Sequence, residues 1–303
     1  MMKRFYFLLL FVPMLLEAKK VLIITHNYNR PDFVEIQYLT FKKFLLDIEY
    51  EYVVFNDAPH EPMKTAIDTM CKKYGIRCIR VPQEMHTTGD RPLNKRHVNG
   101  VRYSLEVIGY DNDGPVLILD SDMFLIRPLS IEERLGDNHI LSATRGGSPL
   151  NITWLWPGIS ILAMDRLPEK RMLNYDCGPV QGHILDSGGS SYLYLQRHPE
   201  LKKEYIDGTT LWAGYHLFLA DRHTGSQDKT SVTTAERIVA YTKYGFNEKE
   251  IKFLLKKPDS FEFYLDRNFL HYREGTNYSG QQQGYVDHKT RIFKEFIEDI
   301  LND

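Results

Sequence analysis

The feature that most constrains the fold is an alternation of short apolar runs with helix-like segments along the first half of the chain. Four runs rich in β-branched and aromatic residues predict strands, at 21–25, 50–55, 77–81 and 116–119. Segments with helical spacing of apolar residues separate them, at 33–45, 63–74 and around 101–108. This order predicts an α/β fold with a mostly parallel sheet and helices on both faces.

The pattern changes past residue 130. Strands are predicted at 139–144 and 159–164, Gly- and Pro-containing turns become frequent, and an amphipathic helix is predicted at 287–301. The chain has no internal repeat and no low-complexity linker. We therefore expect a single domain over residues 19–303, with its second half packed onto the first.

The N-terminus has the layout of a secretory signal. Lys3 and Arg4 precede an apolar run at 5–16, which is followed by a polar Lys pair. That run is too short to cross roughly 30 Å of hydrocarbon. We expect residues 1–18 to be a signal peptide or an N-terminal anchor, which implies export or membrane association; an N-terminal strand and a cytoplasmic location are the alternative.

Composition excludes some classes of partner. The formal charge is −2, from 38 basic and 40 acidic residues, so no nucleic-acid partner is expected. The cysteines are Cys71, Cys78 and Cys177, an odd number that does not make a disulfide framework. Two buried thiols are favoured over a Cys71 to Cys78 disulfide.

Two aspartates follow the fourth predicted strand, in the stretch "PVLILDSDMF". In extended backbone Asp120 and Asp122 point to the same side and Ser121 to the other. Adjacent carboxylates repel one another, and a divalent cation relieves that repulsion. Such a cation could neutralise a diphosphate. The alternative is a solvated turn.

Further polar groups fall at the ends of neighbouring predicted strands, where ligands of parallel sheets gather. Thr25 begins one such stretch, and Asn27 and Arg30 precede a helix whose amino end attracts phosphate. Asp57 ends another. The densest basic cluster of this half offers countercharge for a diphosphate, with Arg96 preferred, and a solvated face is its alternative; it comprises Arg91, Lys95, Arg96 and His97.

Five stretches, taken in order, resemble the nucleotide-sugar glycosyltransferases of the GT-A fold. The stretch "LILDSDMFLIRPL" looks like the family's motif strand and its exit, and "VLIITHNYNRPDF" looks like the family's opening strand and nucleotide-binding turn. The stretch "VVFND" is similar to the family's second strand, and "WPGISILAMD" is similar to its acceptor-side segment. The stretch "FLHYREGTNYSG" looks like its late His-containing loop. The resemblance implies a nucleotide-binding half at 19–130 and an acceptor half at 131–303 with a smaller mixed sheet.

By this resemblance, Asp120 approaches the ribose and the metal, Asp122 coordinates the metal and His271 is the third protein ligand. A mixed carboxylate and imidazole set suits Mn²⁺, with Mg²⁺ as the alternative. Asp57 would meet the base, with a cap on the next turn as its alternative, while Thr25 and Ser121 would lie with the nucleotide. His271 follows Asp122 by 149 residues, and a hydrogen-bonded histidine on a strand is its alternative.

The acceptor side is less defined. Asp186, in "LDSGG", could deprotonate an acceptor hydroxyl, or could cap a helix at 190–196. The stretch departs from the usual acidic clusters of inverting members, so inversion or retention stays open. The tryptophans could stack on sugars or lie in the core; they are Trp154, Trp156 and Trp212. Segment 271–284, with Gly275, Gly280 and Gly284, could order over the donor.

The resulting hypothesis is a metal-dependent glycosyltransferase. It would transfer a sugar from a nucleoside-diphosphate donor, preferably a UDP-sugar, to a hydroxyl of a carbohydrate, lipid or protein. Two alternatives remain from the sequence. One is a non-catalytic sugar- or nucleotide-binding protein of the same fold. The other is a haloacid-dehalogenase-like phosphatase, whose aspartate pair usually follows the first strand rather than the fourth.

Overall fold

The computed structural model describes residues 20–47, 49–85, 92–147, 152–206, 209–210, 233–256, 261–273, 275 and 283–302. The predicted leader at 1–18 lies outside the described residues. So do Arg91, Trp212 and Gly280.

Strands and helices alternate through the first part of the described chain, as expected. The strands are β1 (Val21–Asn27), β2 (Tyr50–Asn56), β3 (Arg77–Arg80), β4 (Pro115–Asp120), β5 (Met123–Leu125), β6 (Ile140–Gly147), β7 (Ile152–Ala163), β8 (Gly178–Val180), β9 (His183–Leu185), β10 (Lys203–Ile206), β11 (Thr209–Thr210), β12 (Phe261–Tyr264) and β13 (Phe269–Tyr272). The helices are α1 (Pro31–Phe44), α2 (Glu61–Tyr74), α3 (Pro92–Ser104), α4 (Ile131–Leu135), α5 (Ser191–Arg197), α6 (Thr234–Lys243), α7 (Glu248–Lys256) and α8 (Gln283–Leu301).

Seven of these strands form the central sheet, in the order β10-β6-β7-β4-β1-β2-β3. Strands β1 to β4 pair in parallel, and β6 and β10 pair in parallel. Only β7 runs against its neighbours β4 and β6 within this sheet. The predicted α/β class, with a mostly parallel sheet between helices, is confirmed.

The apolar runs of the sequence reflect burial of both faces of this sheet. In β1, Val21 and Ile23 pack into the core formed with α1, α2 and α8, whereas Leu22 and Ile24 pack into the core that contains residues of α3 and α5. All four side chains are at most 4% exposed. A strand covered on both sides has no solvent face, and for that reason its sequence does not alternate.

A second sheet, of order β11-β12-β13-β5, lies on the α1 side of the molecule. Its pairings are all antiparallel, so the expectation of a mixed smaller sheet is wrong. For β12 and β13 the reason is local, because only the four residues 265–268 join them, and a connection that short can only form a hairpin.

The cysteines and the helices of the described chain have two further properties. Cys71, Cys78 and Cys177 are free thiols, as favoured over a disulfide; Cys71 is buried as expected, whereas Cys78 is only half-buried. None of the helices in the described part of the chain combines the length and apolar character needed to span a bilayer.

Candidate metal and substrate site

Asp120 is the last residue of β4, and its side chain points to the α3 face of the sheet. Alternate residues of β4, Val116 and Ile118, pack into the core on that face. There the Asp120 Oδ1 atom lies 3.1 Å from Nε2 of His97 on α3. Burial alone would lower the pKa of His97, but the charge and hydrogen bond of Asp120 outweigh burial and raise that pKa.

A turn, rather than extended backbone, separates the two aspartates. Strand β4 ends at Asp120, residues 121–122 form a turn, and β5 begins at Met123. Buried Gln37 on α1 stabilises this turn, since its Nε2 atom donates to the carbonyl oxygens of Asp120 at 3.0 Å and Met123 at 2.9 Å. The expected extended arrangement of Asp120, Ser121 and Asp122 is therefore wrong, and Ser121 is buried within the turn.

The small sheet brings His271 to the aspartates despite the long sequence separation. Strand β13 pairs with β5, and this register places His271 opposite Met123, the residue after Asp122. One ligand atom from each of Asp120, Asp122 and His271 lies within 4.8 Å of the other two. His271 lies on strand β13, which both interpretations of this residue allow. Its Nε2 atom is 3.5 Å from Asp122 Oδ1, as a metal ligand beside that carboxylate requires.

Glu262 is a member of this site that the sequence interpretation missed. It lies directly opposite His271 on β12, and its Oε2 atom is 2.9 Å from His271 Nδ1. Tyr264 donates its hydroxyl to the same carboxylate at 2.9 Å. A signal for Glu262 did exist, because a hairpin centred on residues 265–268 pairs positions 262 and 271.

The chemistry of this cluster fits a divalent cation. Burial would lower the pKa of His271, yet the carboxylates of Asp122 and Glu262 raise it to about 9. Burial would likewise raise the pKa of Glu262, but the hydrogen bond and charge of His271 hold it near 2. The surroundings thus favour positive charge at this point. Two carboxylates and one imidazole are a donor set that Mn²⁺ accepts readily.

The residues predicted at the first strand end are mostly engaged with the protein itself. Thr25 is fully buried in β1. Asn27 exchanges two hydrogen bonds with the backbone of Arg30, at 2.8 and 3.0 Å. The Arg30 guanidinium binds Asp32 through two nitrogens, at 2.9 and 2.8 Å, and donates to the carbonyl of Gly275. Arg30 therefore ties the start of α1 to the segment after His271.

Two further predicted residues bind each other. Arg96 on α3 donates from Nε to Asp57 Oδ2 at 2.8 Å, and it also donates to the Asp57 backbone carbonyl. The face of the Tyr28 ring lies 4.7 Å from the Arg96 guanidinium carbon. Asp57 and Arg96 thus meet at the carboxyl end of β2, although the sequence interpretation assigned them to the base and to the diphosphate separately.

Asp186 follows β9 and is exposed. Its Oδ1 atom accepts a hydrogen bond from Asn94 on α3 at 2.5 Å. It does not cap α5, whose N-cap residue is Ser190. Gly188 nearby has φ of +90°, and a Cβ there would lie 1.9 Å from the Leu155 carbonyl oxygen, so this glycine meets a packing requirement rather than providing flexibility.

The two described tryptophans differ in their surroundings. Trp154 is buried and donates from Nε1 to the Ser187 carbonyl at 3.1 Å. The Trp156 ring packs beside His271, with centroids 5.6 Å apart. The guanidinium of exposed Arg145 lies 4.4 Å from the Trp156 ring centroid. The sequence interpretation missed Arg145, a cation held next to an acidic cluster.

Gly275 is packed against Asp122, a member of the candidate metal site. Its N–H lies 3.2 Å from Asp122 Oδ2, and an added Cβ would lie 2.9 Å from the Asp122 Cβ and 2.8 Å from the Phe33 ring. Lys289 donates to the carbonyl of Arg273. The described start of the predicted covering segment is therefore held by α1 and α8, while 276–282 lies outside the described residues.

Comparison with known proteins identifies distant structural similarity only. No family model matches the chain, and no curated protein matches it. Among solved structures, a galactosyltransferase, LgtC, in complex with donor and acceptor sugar analogs is 17% identical, with a TM-score of 0.40 over 68% of this chain and 80% of that one. The mannosyltransferase PcManGT from Pyrobaculum calidifontis, in complex with GDP-Man and Mn²⁺, is 13% identical, with a TM-score of 0.41.

The PcManGT match covers 62% of this chain and only 55% of that protein. A third structure is glucosyl-3-phosphoglycerate synthase from Mycobacterium tuberculosis with Mn²⁺ and UDP-glucose, at 15% identity and a TM-score of 0.38 over 62% of this chain and 68% of that one. Similarity this distant is no evidence of a shared activity. The chemistry of the present site therefore rests on its own geometry.

Proposed function

We propose that the protein is a metal-dependent glycosyltransferase that moves a sugar from a nucleoside-diphosphate donor, with a UDP-sugar favoured, to an acceptor hydroxyl. The observation that carries the proposal is the convergence of ligand atoms from Asp120, Asp122 and His271 within 4.8 Å. The cluster lies where β4 ends, at the edge of a parallel sheet that commonly binds nucleotides.

Asp120, Asp122 and His271 would hold the cation, with Mn²⁺ favoured over Mg²⁺ because one ligand is an imidazole. The cation, when bound, would stabilise the negative charge of the departing diphosphate. The site is open to solvent on the Asp120 side, where the side chains of Asp120 and His97 are 21% and 27% exposed. A donor could therefore reach the carboxylates.

The chain's own groups would serve the two substrates. Arg145 makes no ion pair within the described part of the chain, and its place on the Trp156 ring suits it to a phosphate or another anionic group of a substrate. Asp186 is proposed as the base that takes the proton of the acceptor hydroxyl as the sugar carbon exchanges its bond to the diphosphate for a bond to that oxygen.

The test is a panel of UDP- and GDP-sugars with Mn²⁺ and simple acceptors, scored for release of the nucleoside diphosphate. Asp122→Asn is expected to lower turnover by about a hundredfold or more, because it weakens electrostatic stabilisation of the leaving group. Asp137→Asn is the matched control, since Asp137 is 93% exposed and precedes the amino end of β6, whereas the candidate site lies at the carboxyl end of β4. Equal release by the native protein and Asp122→Asn, or no release with any donor, would contradict the proposal.

Two broader expectations belong to the same proposal. Residues 19–303 are proposed to form one catalytic domain, and residues 1–18 an export signal or membrane anchor. The acceptor class would be a carbohydrate, a lipid or a protein. N-terminal sequencing of the protein purified from its native host distinguishes a cleaved leader, which begins the mature chain near residue 19, from a retained one.

A further inference from the structure

The His271 ring has a polar neighbour at each nitrogen. Its Nε2 atom faces the cluster, 3.5 Å from Asp122 Oδ1, and its Nδ1 atom faces away from the cluster, 2.9 Å from Glu262 Oε2. Both His271 and Glu262 are less than 10% exposed. The two residues are directly opposed on β12 and β13, so backbone pairing as well as side-chain contact sets their separation.

Glu262 is itself held in place by neighbours on the same hairpin. The Tyr264 hydroxyl donates to Oε2 at 2.9 Å, and Arg273 Nε lies 3.4 Å from Oε1. The Trp156 ring packs against His271, with centroids 5.6 Å apart, which restricts rotation of the imidazole. The carboxylate and the ring therefore have a defined mutual orientation.

We propose that Glu262 is a positioning residue for the metal ligand His271. Its carboxylate accepts the Nδ1–H hydrogen bond, so the proton that the cation displaces is the one on Nε2, and the lone pair freed there points toward Asp120 and Asp122. A histidine ligand held in this way keeps its orientation when the cation replaces the Nε2 proton, and the negative partner makes Nε2 a stronger donor. The inference deepens the proposed function, because it rests on the same metal site.

A merely structural role for Glu262 makes a different prediction. If the carboxylate only stabilises the hairpin through its contacts with Tyr264 and Arg273, then its loss lowers stability and leaves the intrinsic affinity for metal unchanged. If it positions His271, then its loss weakens metal binding by more than the change in stability explains. Metal affinity measured directly on folded protein separates the two roles.

The experiment measures the Mn²⁺ dissociation constant by electron paramagnetic resonance of free Mn²⁺, at a temperature where each variant is folded by circular dichroism. Glu262→Gln keeps the size and an acceptor oxygen but removes the charge. Its dissociation constant is expected to rise by roughly tenfold to a hundredfold, the range typical of lost partners behind a histidine ligand.

Glu250→Gln is the matched control. Glu250 is also a buried glutamate, 2% exposed, and it binds both Nε and Nη2 of Arg127 at 2.8 and 2.5 Å. This substitution is expected to lower stability with a change in the Mn²⁺ dissociation constant of less than about twofold. A Glu262→Gln protein that binds Mn²⁺ as tightly as the Glu250→Gln protein would overturn the inference.

A second measurement uses the native chain and does not require any variant to fold. With Cd²⁺ in place of Mn²⁺ and ¹⁵N-labelled histidine, the His271 signals are expected to show a protonated Nδ1 and a metal-bound Nε2. Metal at Nδ1, or an unprotonated Nδ1, would overturn the inference. Failure of the proposed function is a different outcome, because it is scored by release of the nucleoside diphosphate: no donor would release it, or the native protein and Asp122→Asn would release it equally, whatever their affinities for Mn²⁺.

Discussion

The central sheet and the small sheet differ in where along their strands the polar side chains of the candidate site lie. Strands β1 and β4 are apolar on both faces, and their polar side chains come at the carboxyl end, as Asp120 does. The small sheet has one apolar face, with Phe261 and Tyr272, and one face with Glu262 and His271 in mid-strand. In the first case strand alternation directs Asp120 and the following turn directs Asp122, whereas in the second case cross-strand pairing sets the side-chain direction.

This difference has a consequence for the cluster. The turn that presents Asp122 depends on contacts from outside the strand, such as Gln37. The position of His271 depends on the register between β13 and β5. A metal site built from both sheets therefore requires that they be correctly docked, and substitutions in either sheet test the comparison.

The largest effect is expected for Phe124→Ala on β5. Phe124 is fully buried, with ring centroids 5.1 Å from Phe33 and 4.6 Å from Phe293. The cavity should lower the free energy of unfolding by about 3–5 kcal/mol, measured by urea denaturation. Leu117→Ala, in β4, should cost about 2–5 kcal/mol. Only Phe124→Ala should also weaken Mn²⁺ binding; equal Mn²⁺ affinities would show that docking of the small sheet does not matter.

The next effect is that of the metal itself on stability. At a free Mn²⁺ concentration one hundred times its dissociation constant, the free energy of unfolding should rise by about 2.7 kcal/mol, and a chelator should reverse the increase. His271→Ala should abolish most of it in thermal or urea unfolding. His198→Ala removes another buried histidine, one that packs on Tyr194, and should retain the full increase. Loss of the increase in both variants would argue against a site made by His271.

The smallest effect is expected at the junction between the two sheets. Gln37→Leu removes the donor to two backbone carbonyls and should cost about 1–3 kcal/mol in urea unfolding. Tyr52→Phe removes the hydroxyl that donates to Gln37 Oε1 at 2.6 Å and should cost about 1 kcal/mol. Mn²⁺ affinity should fall more for Gln37→Leu, since that side chain holds the Asp122 turn. The reverse order would mean that the turn keeps its shape without Gln37.

Much of the first half of the fold follows from local sequence. Helix α1 begins at Pro31 and ends at Phe44, close to the predicted segment at 33–45, and β1, β2 and β4 lie within one or two residues of their expected bounds. These elements bury both faces or one clear stripe, so the apolar pattern identifies them. Strands β5, β12 and β13 were not identified individually, because each has only three or four residues and β5 lies far in the chain from the β12–β13 hairpin with which it pairs.

The sequence alone determined the α/β class and the placement of two aspartates after a central strand. Strand propensity and burial both depend on short stretches of consecutive residues, so the local pattern is enough to predict them. The family resemblance named His271 as a third ligand, but only tertiary structure decided that Asp120 and Asp122 meet through a turn, that the β5–β13 register brings His271 to them, and that Glu262 lies behind His271. Asp57 and Arg96 also pair only in the folded chain. The physical reason is that a cluster depends on distances between strands, and those distances arise from packing and hydrogen-bond register among segments that are far apart in sequence.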